Sequence, residues 1–312
     1  MRVMVTGGFG FIGSHLALRL RSEDHEVWIV DDRSTSREQG PVGPNSDIAE
    51  ANWLHENYEQ YYVDAIYHLA CPASPLHYQK SPIKTIRTAV IGTLHVLELA
   101  AEIGARVLLA STSEVYGDPE VHPQPESYLG RVSTLGPRAS YDEGKRCAEA
   151  ACWAYKTERG LDVRIARIFN TYGPGMASHD GRLVPNLVLA ALSGEPMPIR
   201  GDGTQTRSLC YVSDTVDALV RIMQEPAREH LPVYNVGNPR ELTVNEIAHA
   251  VELATLPYFA DLAHSTSLPA DKDDPQRRCP DISRIRNQLG WEPKVELDEG
   301  MRRTVDWFRA NR

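Results

Sequence analysis

Short runs of consecutive apolar residues alternate, through the first half of the chain, with longer stretches whose apolar residues recur every three or four positions. Residues 3–5 form such a run, ended by Thr6-Gly7-Gly8, and 11–20 then carry helical spacing. Glu26–Val30 is a second strand-like run ending at Asp31-Asp32; 65–69 and 106–110 are two more, bounded by polar or breaker residues. Between these two, 83–103 reads as one long amphipathic helix. Residues 140–159 read as another, and 162–168 as a further buried strand. Apolar strands alternating with helices predict an α/β fold with a doubly wound parallel sheet of the Rossmann type.

Past residue 170 proline and glycine become frequent, as in Gly173-Pro174-Gly175 and Gly201-Asp202-Gly203. Helices are predicted at 183–192, 213–223, 243–253, 281–289 and 298–309. The chain therefore divides into a dinucleotide-binding domain over 1–170 and a smaller C-terminal substrate lobe over 171–312, interleaved with the sheet. The stretch 34–45, STSREQGPVGPN, lies where such sheets place a third strand. It holds one apolar residue besides its prolines, which leaves a very short strand or a mobile loop.

A chain of 312 residues suits one large domain with an annex. Hydrophobic residues at 42% and charged residues at 24% exclude a disordered or fibrous chain. A net charge of −9 argues against nucleic-acid or anionic-membrane partners. Cys71, Cys147, Cys152, Cys210 and Cys279 are scattered and odd in number, without CxxC spacing. That pattern argues against a disulfide framework or a metal site and for a reducing compartment. No apolar run approaches a membrane span and no leader pattern opens the chain, so the cytoplasm is expected.

Gly7-x-x-Gly10-x-x-Gly13 follows the first strand and opens the first helix. Glycines there allow a tight turn, close approach of a pyrophosphate and close helix–sheet packing, and the helix N-terminus offers free N–H groups. Phe11 and Ile12 stand inside the same turn. A carboxylate from Asp31 or Asp32 at the end of the second strand binds the adenosine ribose and repels a 2′-phosphate, so NAD is predicted over NADP, with Arg33 as the counter-indication. Asp47 and Ile48 are candidates for the adenine edge, and Leu69 and Ala70, ending the third run, complete the cofactor set.

Tyr141 and Lys145 are four apart and share a helix face. A lysine one turn from a tyrosine lowers the phenol pKa and makes it a usable base; the same ammonium can bind the nicotinamide ribose. Ser111-Thr112-Ser113-Glu114 follows a strand directly, where α/β sheets place chemistry. His68 reads as a structural hydrogen-bonder, Trp153 and Tyr155 as core or interface residues, and 292–299 as a solvated turn.

GGFGFIG, STSEVYGD, SYDEGKR, RIFNTYGPG and DDPQRRCPDIS resemble the extended short-chain dehydrogenase/reductase family. Within it the chain is similar to the UDP-glucuronic acid decarboxylases, a similarity that HLACPASPLHYQKSP, QTRSLCYVSD and LGWEPKVELDEG share. The resemblance implies that Tyr141 removes the proton of the sugar 4-hydroxyl and that Lys145 assists it. It implies that Thr112 holds the substrate, and that Glu114 and Arg278 stand at carbon 5. Asn170, Arg182 and Arg207 fall to the nucleotide and diphosphate pocket, and two fixed guanidiniums suit its phosphates. A homodimer through the 83–103 and 140–159 helices is implied as well.

Oxidation at carbon 4 places a ketone β to the carboxylate, so loss of carbon dioxide, protonation at carbon 5 and return of hydride at carbon 4 give UDP-xylose. A 4-epimerase on the same substrate shares these oxidation motifs and remains the alternative, giving UDP-galacturonic acid. A 4,6-dehydratase is disfavoured because Ser113, not an aspartate, precedes Glu114. A non-catalytic NAD sensor is disfavoured because Tyr141 and Lys145 are both present.

Overall fold

A computed structural model describes residues 1–35, 47–49, 62–179, 181–258, 265–269 and 277–311. Most of the 34–45 stretch lies outside the described residues, and with it the question of a third strand there.

The central sheet has strands β1 (Arg2–Thr6), β2 (Glu26–Val30), β3 (Ala65–His68), β4 (Arg106–Thr112), β5 (Val163–Ile168) and β6 (Val233–Val236). Their order is β6-β5-β4-β3-β1-β2, every pairing parallel. The α/β doubly wound expectation is met. One strand, β6, comes from beyond residue 170, which is how the two halves interleave. Side chains alternate across each strand, so Val3 and Val5 join one buried cluster with Leu16, Leu20 and Leu187. Met4 joins the other with Val96, Leu97 and Ile165.

The helices are α1 (Phe11–Ser22), α2 (Pro75–Lys80), α3 (Pro82–Arg87), α4 (Thr93–Ile103), α5 (Ala139–Arg159), α6 (Leu183–Ser193), α7 (Val212–Gln224), α8 (Val244–Thr255), α9 (Ser283–Leu289) and α10 (Leu297–Ala310). The helix predicted over 83–103 differs from expectation. A π-helical turn, Thr88–Gly92, separates α3 from α4. Its last residue, Gly92, packs closely on Ile48, where an added Cβ would lie 2.7 Å from the Ile48 side chain. Such π turns re-aim neighbouring side chains, and here Thr93 faces His68 of β3. The 292–299 stretch is more ordered than a solvated turn, because the Asp214 carboxylate accepts from the Lys294 and Val295 N–H groups at 3.0 and 2.9 Å.

Between β1 and β3 the sheet order reverses, and a crevice opens at such a point outside the strand ends. Gly7 stands there at φ 70°, and a Cβ on it would lie 2.7 Å from the Ala70 nitrogen. A Cβ on Gly13 would lie 2.2 Å from the Gly7 carbonyl oxygen. Backbone rather than side chain blocks that space, so Gly13→Ala should force the turn open. We expect a loss of about 1–3 kcal/mol, read as a lower urea midpoint at unchanged m-value.

Candidate active site

At the end of β2 the structure separates the two neighbouring aspartates. Asp31 is buried, and its carboxylate accepts from the Phe9 and Arg33 N–H groups at 2.9 and 2.7 Å. Burial raises its pKa, the two N–H groups offsetting this only in part. Asp32 is bound to Lys84 at 2.5 Å and accepts from Ser34. Burial pushes its pKa up, but Lys84 and Ser34 outweigh that and leave it lowered. Arg33 folds over the Phe9 ring, its guanidinium carbon 4.7 Å from the centroid. Asp47 lies 4.0 Å from the Lys84 ammonium, and the Ile48 carbonyl meets His95 Nδ1 at 2.8 Å. With the glycine turn packed on Ala70, and Leu69 N–H bonded to the Thr6 carbonyl at 3.0 Å, this end fits a dinucleotide. The cradle between Gly7, Gly10 and Gly13 is one that side chains would fill.

His68 is a neutral hinge pin. Its Nδ1 meets Thr6 Oγ1 at 2.7 Å and its Nε2 meets Thr93 Oγ1 at 3.0 Å. Thr93 donates to the Ala89 carbonyl, so its oxygen accepts from Nε2–H, and the Thr6 hydroxyl donates to Nδ1. Burial, with Lys145 adding to it, lowers the imidazole pKa to about 3.

Strand alternation splits the hydroxyl run after β4. Ser111 turns away and donates to Glu149 at 2.5 Å, while Thr112 Oγ1 accepts from Glu114 N–H at 3.2 Å. Thr112 also hydrogen-bonds Tyr141, which acts to lower that phenol's pKa. The net shift is upward, through burial first and Cys71 second. Lys145 is buried and its ammonium donates to the Ala110 carbonyl at 2.8 Å. Desolvation thus dominates at Tyr141, and the Lys145 ammonium one turn away is anchored through one of its three N–H groups.

Beyond Tyr141 lies a cluster that the sequence reading reached only in part. Glu114 accepts from Arg278 through both carboxylate oxygens, one contact at 3.0 Å, and from Arg138. Burial works to raise the Glu114 pKa, but the Arg278 and Arg138 guanidiniums hold it well below the usual carboxylate range. Asp142 lies 3.9 Å from Arg138 Nε, its Oδ1 buried without a partner. Burial and the Glu114 charge push its pKa up to about 7. The Tyr78 ring stacks on Tyr141 at 5.2 Å and 9°. Its hydroxyl and Arg278 Nε are likewise buried without partners. Arg138, Asp142 and Tyr78 were missed as site residues. Arg138 and Asp142 flank Tyr141 at −3 and +1, a spacing that could have flagged both.

Asn170, Arg182 and Arg207 come from separate segments of the second half. The Asn170 carbonyl accepts from Cys210 N–H at 2.9 Å. The Arg182 guanidinium lies 5.8 Å from the Phe11 ring centroid, beside the glycine turn. Arg207 donates to the Thr206 carbonyl at 2.7 Å, and the next residue, Ser208, donates to the Arg278 carbonyl at 3.2 Å.

Comparison with known proteins agrees with this geometry. UDP-glucuronic acid decarboxylase 1 of Danio rerio is 48% identical over 318 residues, covering 98% of this chain and 72% of the relative. UDP-glucuronic acid decarboxylase 3 of Arabidopsis thaliana is 48% identical over 319 residues, covering 99% and 89%. Among solved structures, UDP-glucose 4-epimerase of Thermotoga maritima with UDP-glucose superposes at TM-score 0.91 and 28% identity, covering 100% of this chain and 99% of the other. MoeE5 in complex with UDP-glucuronic acid and NAD superposes at 0.85 and 29% identity, covering 100% of each chain. Residues 3–237 match the NAD dependent epimerase/dehydratase family, and the chain belongs to it.

Proposed function

We propose that the protein is an NAD-dependent UDP-glucuronic acid decarboxylase that forms UDP-xylose. The observation that carries this reading is the pair of guanidiniums, Arg138 and Arg278, gathered on Glu114 close to Thr112 and Tyr141. A sugar without a carboxylate needs no such cationic pair beside its ring. The decarboxylase relatives, matched over nearly the whole chain, support the same substrate.

Bound NAD supplies the redox chemistry at carbon 4, accepting hydrogen there and returning it. Gly7, Gly10, Gly13 and the N-terminus of α1 hold its pyrophosphate, Asp31 its adenosine ribose, and Lys145 its nicotinamide ribose. Tyr141 takes the proton of the 4-hydroxyl while Thr112 orients that group. Because burial raises the Tyr141 pKa, the ionised form depends on the Lys145 charge one helical turn away. Arg138 and Arg278 hold the carboxylate, and Glu114 fixes their planes. Carbon dioxide departs when its bond to carbon 5 stands roughly perpendicular to the 4-ketone, where the bonding electrons overlap the carbonyl π system. An epimerase must hold the same bond near the plane. Asn170, Arg182 and Arg207 bind the nucleotide and diphosphate.

On this reading residues 1–170 mainly bind NAD and 171–312 mainly bind the UDP-sugar, in the cytoplasm. Two copies pair through α3, α4 and α5, where Ile83 and Trp153 stand 75% and 60% exposed. Among the described residues no helix is long and apolar enough to cross a membrane.

Substrate labelled at its carboxyl carbon should release all its label as carbon dioxide while UDP-xylose accumulates. Retained label with UDP-galacturonic acid as product would establish the epimerase instead. Tyr141→Phe should cut turnover by about 10²–10⁴ while circular dichroism and UDP affinity stay unchanged. Titrated into cofactor-free protein, NAD should bind more tightly than NADP, whose 2′-phosphate would face the Asp31 carboxylate; tighter NADP would transfer the ribose site to Arg33.

A further inference from the structure

The buried cluster beyond Tyr141 contains two cations, Arg138 and Arg278, and two carboxyl groups, Glu114 and Asp142. With both carboxyls ionised its charge sums to zero. The substrate carboxylate would then add an unmatched negative charge inside a desolvated site, which is strongly unfavourable. A proton on either acid removes the mismatch, and the geometry selects which one. Glu114 accepts three hydrogen bonds from the two guanidiniums, all of which protonation would weaken. The nearest cation to Asp142 is Arg138 at 3.9 Å, and its Oδ1 has no partner.

We infer that Asp142 takes up one proton as UDP-glucuronic acid enters, leaving Arg138 and Arg278 balanced by Glu114 and the substrate carboxylate. Asp142 is thus a positioning residue, acting through Arg138, that fits the pocket to acidic sugars. The other charged groups do not compete for the role. Glu143, next on α5, pairs with Arg146 at 3.7 Å, and Lys84 of α3 is turned to Asp32. Tyr78 of α2 and Tyr141 are phenols whose pKa burial raises. The Asp142 pKa, raised by burial and by Glu114, lies in the range where a nearby anion can complete the protonation.

The sign follows. Below its pKa Asp142 is already neutral and the acid binds without proton uptake. As pH rises through that value each binding event must draw a proton from solvent, and affinity falls by up to about tenfold per pH unit.

This inference rests on the substrate reading above, and one experiment separates the two. Protein loaded with NADH, which cannot oxidise the sugar, is titrated calorimetrically at pH 8 in two buffers of different ionisation enthalpy. The ligands are UDP-glucuronic acid and UDP-glucose. We expect uptake approaching one proton for the acid, none for UDP-glucose, and loss of the uptake in Asp142→Asn. Wild-type binding of the acid without uptake, or uptake that persists in Asp142→Asn, would overturn the role of Asp142 and leave the decarboxylase standing. Should Asp142→Asn not fold, Asp142→Ala takes its place, and the wild-type proton count still decides. Failure of UDP-glucuronic acid to bind at all would overturn both.

Discussion

Burying an arginine beside a glutamate is tolerable only if each satisfies the other, and the Glu114–Arg278 pair imposes that constraint on the whole molecule. The two residues are 164 positions apart, so the pair ties the two halves of the chain together. A hydrogen-bonded network of buried side chains and backbone groups aims Arg278. Gln124, fully buried, accepts from Cys279 N–H through its side chain and donates its own backbone N–H to the Cys279 carbonyl, both at 2.9 Å. Asn235 of β6 donates to the Gln124 and Asp281 carbonyls at 2.8 and 3.0 Å, and Tyr116 donates to Asn235 at 2.7 Å. A strand from the second half thus enters the sheet carrying the residue that anchors the arginine segment. Networks of this kind specify a geometry because any half-satisfied alternative leaves buried polar groups unpaired.

Much of this was legible one residue at a time, where chemistry is local. The glycine turn between β1 and α1 follows from spacing, because the strand, turn and helix that need those glycines are adjacent in sequence. Tyr141 and Lys145 share a helix face for the same reason. Trp153 illustrates the limit: its helix periodicity suits a core or an interface equally, and only its 60% exposure removes the core. The π turn at Thr88–Gly92 packs its last glycine on Ile48, far earlier in the chain, a contact that periodicity cannot encode. Asp142 lay inside a motif that had already drawn notice, and Arg138 just before it. Their significance comes from Glu114 and Arg278 in space, and neither distance is a property of the local sequence.

The two ends of the site obey different physics. At the dinucleotide end, on the proposed reading, the backbone would recognise the ligand, and a UDP-glucose 4-epimerase of 28% identity shares the overall fold. At the sugar-acid end recognition would rest on side-chain charge in a desolvated pocket, where adding or removing one ionised group changes what can bind. Evolution of substrate choice on this fold is therefore expected to act at Arg138, Asp142 and Arg278 while the glycine turn stays as it is.

Tyr141 joins the two ends. In the protein alone its phenol is held protonated by burial, and Lys145 is occupied by the Ala110 carbonyl. On the proposed reading the base acts when the Lys145 charge stabilises its phenolate and a sugar hydroxyl lies within reach. The consequence is selectivity in time as well as in substrate. Tyr141 would remove the proton of the 4-hydroxyl while the sugar carboxylate is held by the guanidiniums. The step that commits the sugar to oxidation is then coupled to the contact that decides the fate of its carboxylate.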